Sequence, residues 1–435
     1  MFFLYNLIFF IYAIVAFPIF LLKGKLGRGS SSRFGRISEE AKEKLSGQNV
    51  WWLHAVSVGE MVLAIRFADR LRGRIQGIKI LITTTTQAGF EVGQKIKNED
   101  DFLMFFPIDF PFAVKRFVRN VSPSALVLFE TELWPNLINE LSKRFIPIFL
   151  INGRISDRAF PRYRRINFFL GKVLQKIQIL SVQDERMRTR FLELGADPKA
   201  VVVGGNMKYD WEPSFSQDQL AAPAKRVLKS LNDFIFMCGS THEGEEEILF
   251  RLYPSLKAKF PSLRMVIAPR HLTRLPAIYK TAERFQVSLR SVSEWAENRS
   301  AASDKNSILL IDRVGILASL YEAADLVFVG GSLVAAGGHN LVEPAIYAKP
   351  ILFGAHMHNF SEMAEDFKRA RAAVSVQNEQ ALGDEIEKLI QEPNRLKALG
   401  ECAQAIARRH QGASERSLNH VLSFLDANER SFVKV

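Results

Sequence analysis

Cysteine is nearly missing from this chain: 435 residues contain two, Cys238 in an apolar run of strand character and Cys402 in a helical pattern. That excludes a disulfide framework and a cysteine zinc site, and fits reduced, structural thiols in a cytoplasmic protein. Neither Gly-x-Gly-x-x-Gly nor a P-loop occurs, which argues against a dinucleotide enzyme and an NTPase. No Asp-x-Asp occurs that could clamp a metal onto a sugar diphosphate. His356-x-His358 has no Cys or acidic partners nearby, so no metal and no cofactor is expected. The basic residues form no helix-turn-helix, zinc-finger or RNA-binding pattern, and nucleic acid is not an expected partner.

What is present describes a folded protein with anionic company. Hydrophobic residues make up 48% and charged residues 24%, which excludes disorder. The length exceeds one ordinary core and predicts two domains. The net charge of +12 points to phosphorylated lipid, a membrane surface or another polyanion. Residues 1–22 are almost unbroken apolar, interrupted only by Asn6 and Pro18. Lys23, Lys25, Arg28, Arg33 and Arg36 follow, and no Lys or Arg precedes. The run has the length of a membrane span, and its flank predicts an N-terminal anchor with the rest of the chain cytoplasmic. Pro18 leaves a shallow interfacial helix as the alternative.

From residue 50 to 210 short apolar runs alternate with helical spacing, and the alternation restarts from 234 to 376. This predicts α/β architecture, with two Rossmann-like domains of parallel strands facing each other across a cleft. The expected boundaries are an anchor over 1–22, a first domain over 30–210, a linker over 211–230 and a second domain over 231–435. All the conspicuous loops lie beyond Val50, so a chain beginning near Gly29 is expected to fold.

The candidate residues sit where strands give way to helices, the edge at which open α/β sheets bind ligands. Ser57-Val58-Gly59-Glu60 reads two ways: a capping box that satisfies two helix-start amides, or a loop presenting Glu60 as a general base. Glu130 and Glu132 precede Pro135 at a helix start and also fit a plain helix N-terminus. Lys208 could meet a carboxylate or phosphate, or be merely solvated. In the second half, the Ser240-Thr241 loop carries donors suited to an anion. Pro269-Arg270 places a guanidinium at a strand end, where it could fork onto a phosphate or lie solvated. Gly330-Gly331-Ser332 and the stretch from Gly337 through Asn340, Leu341, Val342 and Glu343 have glycines that let amides approach a phosphate at a helix start. Glu343 suits ribose hydroxyls or the helix dipole equally.

Taken together, His54 to Glu60, the Thr83 to Thr86 run, Glu130-Thr131-Glu132-Leu133-Trp134-Pro135-Asn136, Asn152-Gly153-Arg154 and Gly205-Asn206-Met207-Lys208 resemble the first domain of Kdo transferases. Cys238 to Glu243, Ala268 to His271 and Gly330 through Glu343 resemble the second. The resemblance implies a GT-B glycosyltransferase that moves 3-deoxy-D-manno-octulosonic acid (Kdo) from CMP-Kdo to a phosphorylated lipid A precursor at the inner membrane, with inversion. It implies that Glu60 is the base, that Glu130 and Lys208 stabilise the transition state, and that Pro269, Arg270, Val314, Gly315, Ile316, Asn340, Leu341, Val342 and Glu343 form the CMP site. One segment departs: the family's Asp-Thr-Met-Gly-Glu is Asp312-Arg313-Val314-Gly315-Ile316 here, so no side-chain role passes to Ile316. Arg154, Arg158, Arg162, Arg164 and Arg165 are candidates for lipid phosphates. The competing readings are a membrane-associated transferase using a UDP-sugar, and a non-catalytic binder of anionic lipid or nucleic acid.

Overall fold

The structure of the protein is a computed structural model that describes residues 2–7, 9–10, 30–210, 215–230, 233–297, 304 and 306–432. The chain divides into two compact units, residues 1–210 with 412–435, and residues 211–411.

The first unit is built on seven parallel strands, β1 (Asn49–His54), β2 (Ile78–Thr84), β3 (Phe102–Phe105), β4 (Ala125–Phe129), β5 (Ile148–Gly153), β6 (Ile179–Val182) and β7 (Val201–Val203). Their order is β3-β2-β1-β4-β5-β6-β7. The central strand β4 is apolar throughout, as a sheet covered on both faces requires, and all five of its residues are buried. Trp52 is fully buried and donates its indole N–H to Thr83 Oγ1 at 2.8 Å, tying β1 to β2. The strand order reverses between β1 and β4, so the switch point at their carboxyl ends falls beside Ala55 and Glu130.

The second unit repeats the plan with β8 (Phe234–Thr241), β9 (Leu263–Pro269), β10 (Leu289–Ser291), β11 (Ile308–Leu310), β12 (Leu326–Val329), β13 (Ile351–Phe353) and β14 (Val374–Ser375). Their order is β10-β11-β9-β8-β12-β13-β14, again parallel. Here the switch point lies between the ends of β8 and β12, beside Thr241 and Gly330.

Two expected boundaries move. The segment assigned as a linker over 211–230 is an α-helix from Phe215 to Ser230, with Pro223 inside it. It belongs to the second unit, where Lys225 Nζ lies 2.6 Å from Glu322 Oε2. The second domain also does not run to the C-terminus. The helix Ala413–Phe432 returns to the first unit, where it packs on the helix Val58–Arg74, β5 and β6 and buries Ala413, Leu418 and Val421. Asp210 holds its start by accepting the amides of Gly412 and Ser414, both at 2.8 Å. Strands β3 and β10 are short and only partly buried.

The expected anchor lies mostly outside the described residues. Residues 2–7 and 9–10 are helical. Among the described residues no helix is long and apolar enough to cross a membrane.

Candidate active site

At the carboxyl end of β1 the chain turns through Ala55 and Val56 into the helix Val58–Arg74. Ser57 is its N-cap, with Oγ accepting the Glu60 amide at 3.2 Å. Glu60 reaches back, and its Oε2 accepts the Val56 amide at 2.9 Å. Ser57 thus supplies its half of the capping box, while the Glu60 arm lands one residue before the N-cap, on Val56. That contact uses one carboxylate oxygen, and Oε1 has no hydrogen-bond partner among the described residues. Glu60 is only 6% exposed. Burial pushes its carboxyl above the usual range; the Val56 N–H opposes this, the Glu130 charge adds to it, and Ser57 and Lys208 oppose it. The cap and the base readings of Glu60 are thus compatible.

The threonine run braces this loop. Thr84 Oγ1 and Thr86 Oγ1 both donate to the Val56 carbonyl, at 3.1 and 2.6 Å. His54 is fully buried, stacked on Phe106 at 3.9 Å, with Nδ1 against Thr83. Desolvation lowers its pKa to about 3, so it remains a neutral core residue.

Across the switch point β4 delivers Glu130 with φ 59°, a left-handed backbone rare for a side-chain-bearing residue. Such conformations cost of order 1–3 kcal/mol and persist when the surroundings hold them; the Glu130 amide donates to the Ile151 carbonyl at 2.9 Å. Asn152, at the end of β5 with φ 58°, accepts the Met207 amide at 3.0 Å. That contact fixes the short turn Met207–Tyr209, which presents Lys208. Lys208 Nζ lies 2.6 Å from Glu130 Oε1, and Arg154 approaches Glu130 Oε2 at 3.8 Å. Glu60, Glu130 and Lys208 are thereby gathered on one rim.

Glu132 is the group that sequence reasoning left at a helix start. Its pKa is raised to about 7, by burial first and then by the Glu60 charge, with Trp134 opposing and Glu130 adding. A carboxyl holding a proton near neutrality beside Glu60 is a further candidate for the site. Its signal was available in Glu130-Thr131-Glu132, two carboxylates at one strand end.

The second rim is arranged differently. Thr241 is fully buried and donates its hydroxyl to Glu246 at 2.8 Å, and Arg274 forks onto the same carboxylate at 3.0 and 2.9 Å. The expected Ser240-Thr241 anion loop is therefore not available through Thr241; Ser240 is half-exposed at φ 56°. The glycine loop is likewise committed. Glu245 accepts the amides of His242, Gly331, Ser332 and Leu333 at 3.0, 2.7, 3.0 and 3.0 Å. A carboxylate, not a phosphate, occupies those donors.

Other groups stand at this edge. Pro269 ends β9 buried, and exposed Arg270 follows, its amide held by the Thr241 carbonyl at 3.0 Å. His242 Nε2 lies 3.0 Å from His339 Nε2, and His271 meets His242 edge-on at 5.9 Å. Burial, then Arg270 and the other two histidines, lowers His339 to about 4. Asn340 accepts the Val342 amide at 3.0 Å and lies 3.5 Å from Glu343 Oε1. Leu341 and Val342 are fully buried, so only their backbone can face a ligand. In the segment after β11, Val314 is 81% exposed and Ile316 2% exposed, with Gly315 at φ 85° between them. The buried Ile316 side chain is thus part of the core, while its neighbours line the edge. Among the described residues no group of three or more His, Cys, Asp or Glu is placed to hold a metal ion.

Two doubly wound units of parallel strands, one with a buried carboxylate beside a Lys–Glu pair and the other with an arginine–histidine edge, have the architecture of the GT-B class. A family model described as 3-deoxy-D-manno-octulosonic-acid transferase matches residues 28–211. A 3-deoxy-D-manno-octulosonic acid transferase of Haemophilus influenzae is 31% identical, over 87% of this chain and 87% of its own length. One of Rickettsia felis is 28% identical over 91% of this chain and 83% of its own. This chain therefore belongs to the Kdo transferase family. A bifunctional glycosyltransferase/methyltransferase of Fusobacterium nucleatum is 34% identical over 82% of this chain, which spans 55% of that protein's length. The solved C-terminal CMP-Kdo binding domain of WaaA from Acinetobacter baumannii aligns with 44% of this chain at 22% identity and a TM-score of 0.40.

Proposed function

We propose that this protein transfers Kdo from CMP-Kdo to a phosphorylated lipid A precursor, lipid IVA, on the cytoplasmic side of the inner membrane, with inversion. The observation that carries the reading is Glu60: a buried carboxylate with one oxygen uncommitted, at a switch point beside the Glu130–Lys208 pair. A sugar hydroxyl is a weak nucleophile, so a base must take its proton as attack proceeds. The acceptor oxygen bonds to the anomeric carbon of Kdo while the bond from that carbon to the CMP phosphate oxygen breaks. The proton passes to Glu60, and CMP leaves with the electron pair. Lys208, held by Glu130, supplies fixed positive charge near the developing negative charge. Arg270, the amides around Gly315 and the Asn340–Glu343 turn hold CMP in this reading, with Glu343 on the ribose. Metal-free catalysis fits this assignment of charges.

The acceptor and the membrane belong to the same reading. The described part of the N-terminal segment exposes Phe3, Leu4, Leu7 and Phe10. Rings join it to the domain through Phe110, which meets Phe10 and stacks with Phe112; Phe112, Ile166 and Phe168 are exposed as well. Arg158, Arg162, Arg164 and Arg165 border Ile166 and Phe168 in the chain. Apolar side chains bordered by arginines suit the interface of an anionic bilayer, where each basic residue contributes about 1 kcal/mol. An anchor lying in that interface accounts for the exposed face. Mass spectrometry of lipid IVA after incubation with the protein and CMP-Kdo tests the function; the expected product is heavier by Kdo. An unmodified acceptor, together with stabilisation by UDP and not by CMP, would overturn it in favour of a UDP-sugar transferase.

A further inference from the structure

The helix Pro135–Lys143 begins without a cap of its own: Trp134 occupies the N-cap and offers no acceptor to the first-turn amides. The acceptor comes from another element. Asp109, in the loop between β3 and the helix Pro111–Val121, is fully buried. Its Oδ1 takes the Leu137 amide at 2.9 Å and its Oδ2 the Asn136 amide at 3.0 Å. Asn136 Nδ2 also donates to the Asp109 carbonyl at 2.5 Å. A carboxylate supplied from outside thus does for this helix what an N-cap side chain normally does.

A third donor reaches the same carboxylate from more than a hundred residues away. Tyr5 Oη donates to Asp109 Oδ2 at 2.9 Å, and Asn136 Nδ2 donates to Asn6 Oδ1 at 2.7 Å. Tyr5 stacks on Phe169 at 5.8 Å, Phe2 meets Phe169 edge-on at 5.5 Å, and Phe9 meets Phe110 edge-on at 5.0 Å. The described first turns of the chain therefore pack within the first unit. The helix they help to hold follows directly on Glu130, Glu132 and Trp134, and Trp134 packs on Phe106 at 5.0 Å, three residues before Asp109.

We infer that Asp109 is a positioning residue for the Glu130–Trp134 loop, and that Tyr5 latches the N-terminal segment onto it, coupling the seating of that segment to the acceptor site. The inference rests on the proposed acceptor role of this rim. Burial pushes the Asp109 carboxyl up to about 7 against the pull of the Asn136, Tyr5 and Leu137 donors. Each donor removed makes the carboxylate costlier to keep, and a protonated Asp109 gives up one of its acceptor sites.

The test uses the full chain with Tyr5→Phe and Asp109→Asn. Amide exchange over residues 130–141, steady-state kinetics on lipid IVA, and CMP affinity by calorimetry are measured side by side. In Tyr5→Phe the exchange of Asn136 and Leu137 should quicken and the acceptor KM should rise about three- to tenfold, with kcat and CMP affinity little changed. Asp109→Asn should lower kcat/KM on the acceptor by about ten- to a hundredfold, the range expected when a catalytic group is misplaced by about an ångström. If exchange quickens while acceptor kcat/KM stays at the wild-type value, Asp109 is a structural cap and the inference is overturned. Unchanged exchange in Tyr5→Phe overturns it too, and that variant decides the matter if Asp109→Asn does not fold. Exchange is read without substrate, so a wild-type protein that transfers nothing would strike the functional reading while the latch is judged by exchange.

Discussion

The two rims are built on the same sheet plan and treat their polar groups in opposite ways. At the first, Glu60 is held by the Val56 amide, Glu132 by the Trp134 side chain and Lys208 by Glu130, and groups stay in reserve: one oxygen of Glu60, and a Glu132 carboxyl whose pKa burial raises to about 7. At the second, the conspicuous groups face inward: Thr241 and Arg274 onto Glu246, and four amides onto Glu245. What remains for a ligand there is Arg270, the histidine pair and backbone. A rim with uncommitted, pKa-shifted carboxyls is equipped for proton transfer, whereas a rim with a braced loop and a guanidinium is equipped to hold an anion. In the proposed reading the same topology hosts chemistry on one unit and recognition on the other.

The sharpest way to break that contrast is Glu60→Gln. Glutamine can still accept the Val56 amide but takes no proton. Transfer should fall by about a hundred- to ten-thousand-fold, with melting temperature and CMP affinity near wild type; near-wild-type transfer would remove Glu60 from the mechanism. On the second rim the corresponding glutamate is structural, so Glu245→Ala should act on folding. Four amides would lose their acceptor, at about 1–3 kcal/mol for each one left buried and unpaired, and denaturant melts should show a loss of at least about 3 kcal/mol. Unchanged stability would mean that the glycine loop is not held by Glu245. Glu343→Ala should weaken CMP by about ten- to a hundredfold, or roughly 1.5–3 kcal/mol, and unchanged affinity by calorimetry would assign Glu343 to the helix dipole. Ser57→Ala should cost about 1 kcal/mol of stability and spare most activity, which separates the cap from the base at a single loop.

Much of the first rim was legible because Ser57-x-x-Glu60 and Glu130-Thr131-Glu132 carry their meaning within a few residues. The second rim was misread in part for the opposite reason. Thr241 and the amides of Gly331 and Ser332 look free in a sequence, and their acceptors Glu246 and Glu245 sit on a helix start whose acidic residues fit the dipole just as well. Asp109 gave no signal at all, since its donors come from residues 5, 136 and 137. The helix Ala413–Phe432 was placed in the wrong unit because a helical apolar stripe does not say which sheet it covers. The segment 215–230 reads as a linker because Pro223 and its polar neighbours argue against a helix that tertiary packing nevertheless supports.

The most direct test of Glu60 as the base is the pH dependence of kcat/KM on the lipid acceptor. The ionised form must act, and burial raises the carboxyl above its usual range, so activity should climb with rising pH through that raised value. Lys208 pulls the Glu60 pKa down, so Lys208→Met should move the acid limb to higher pH. The Glu130 charge pushes the Glu60 pKa up, so Glu130→Gln should move the acid limb to lower pH. Opposite displacements in the two variants are the predicted result; an acid limb that stays in place in both would contradict the account.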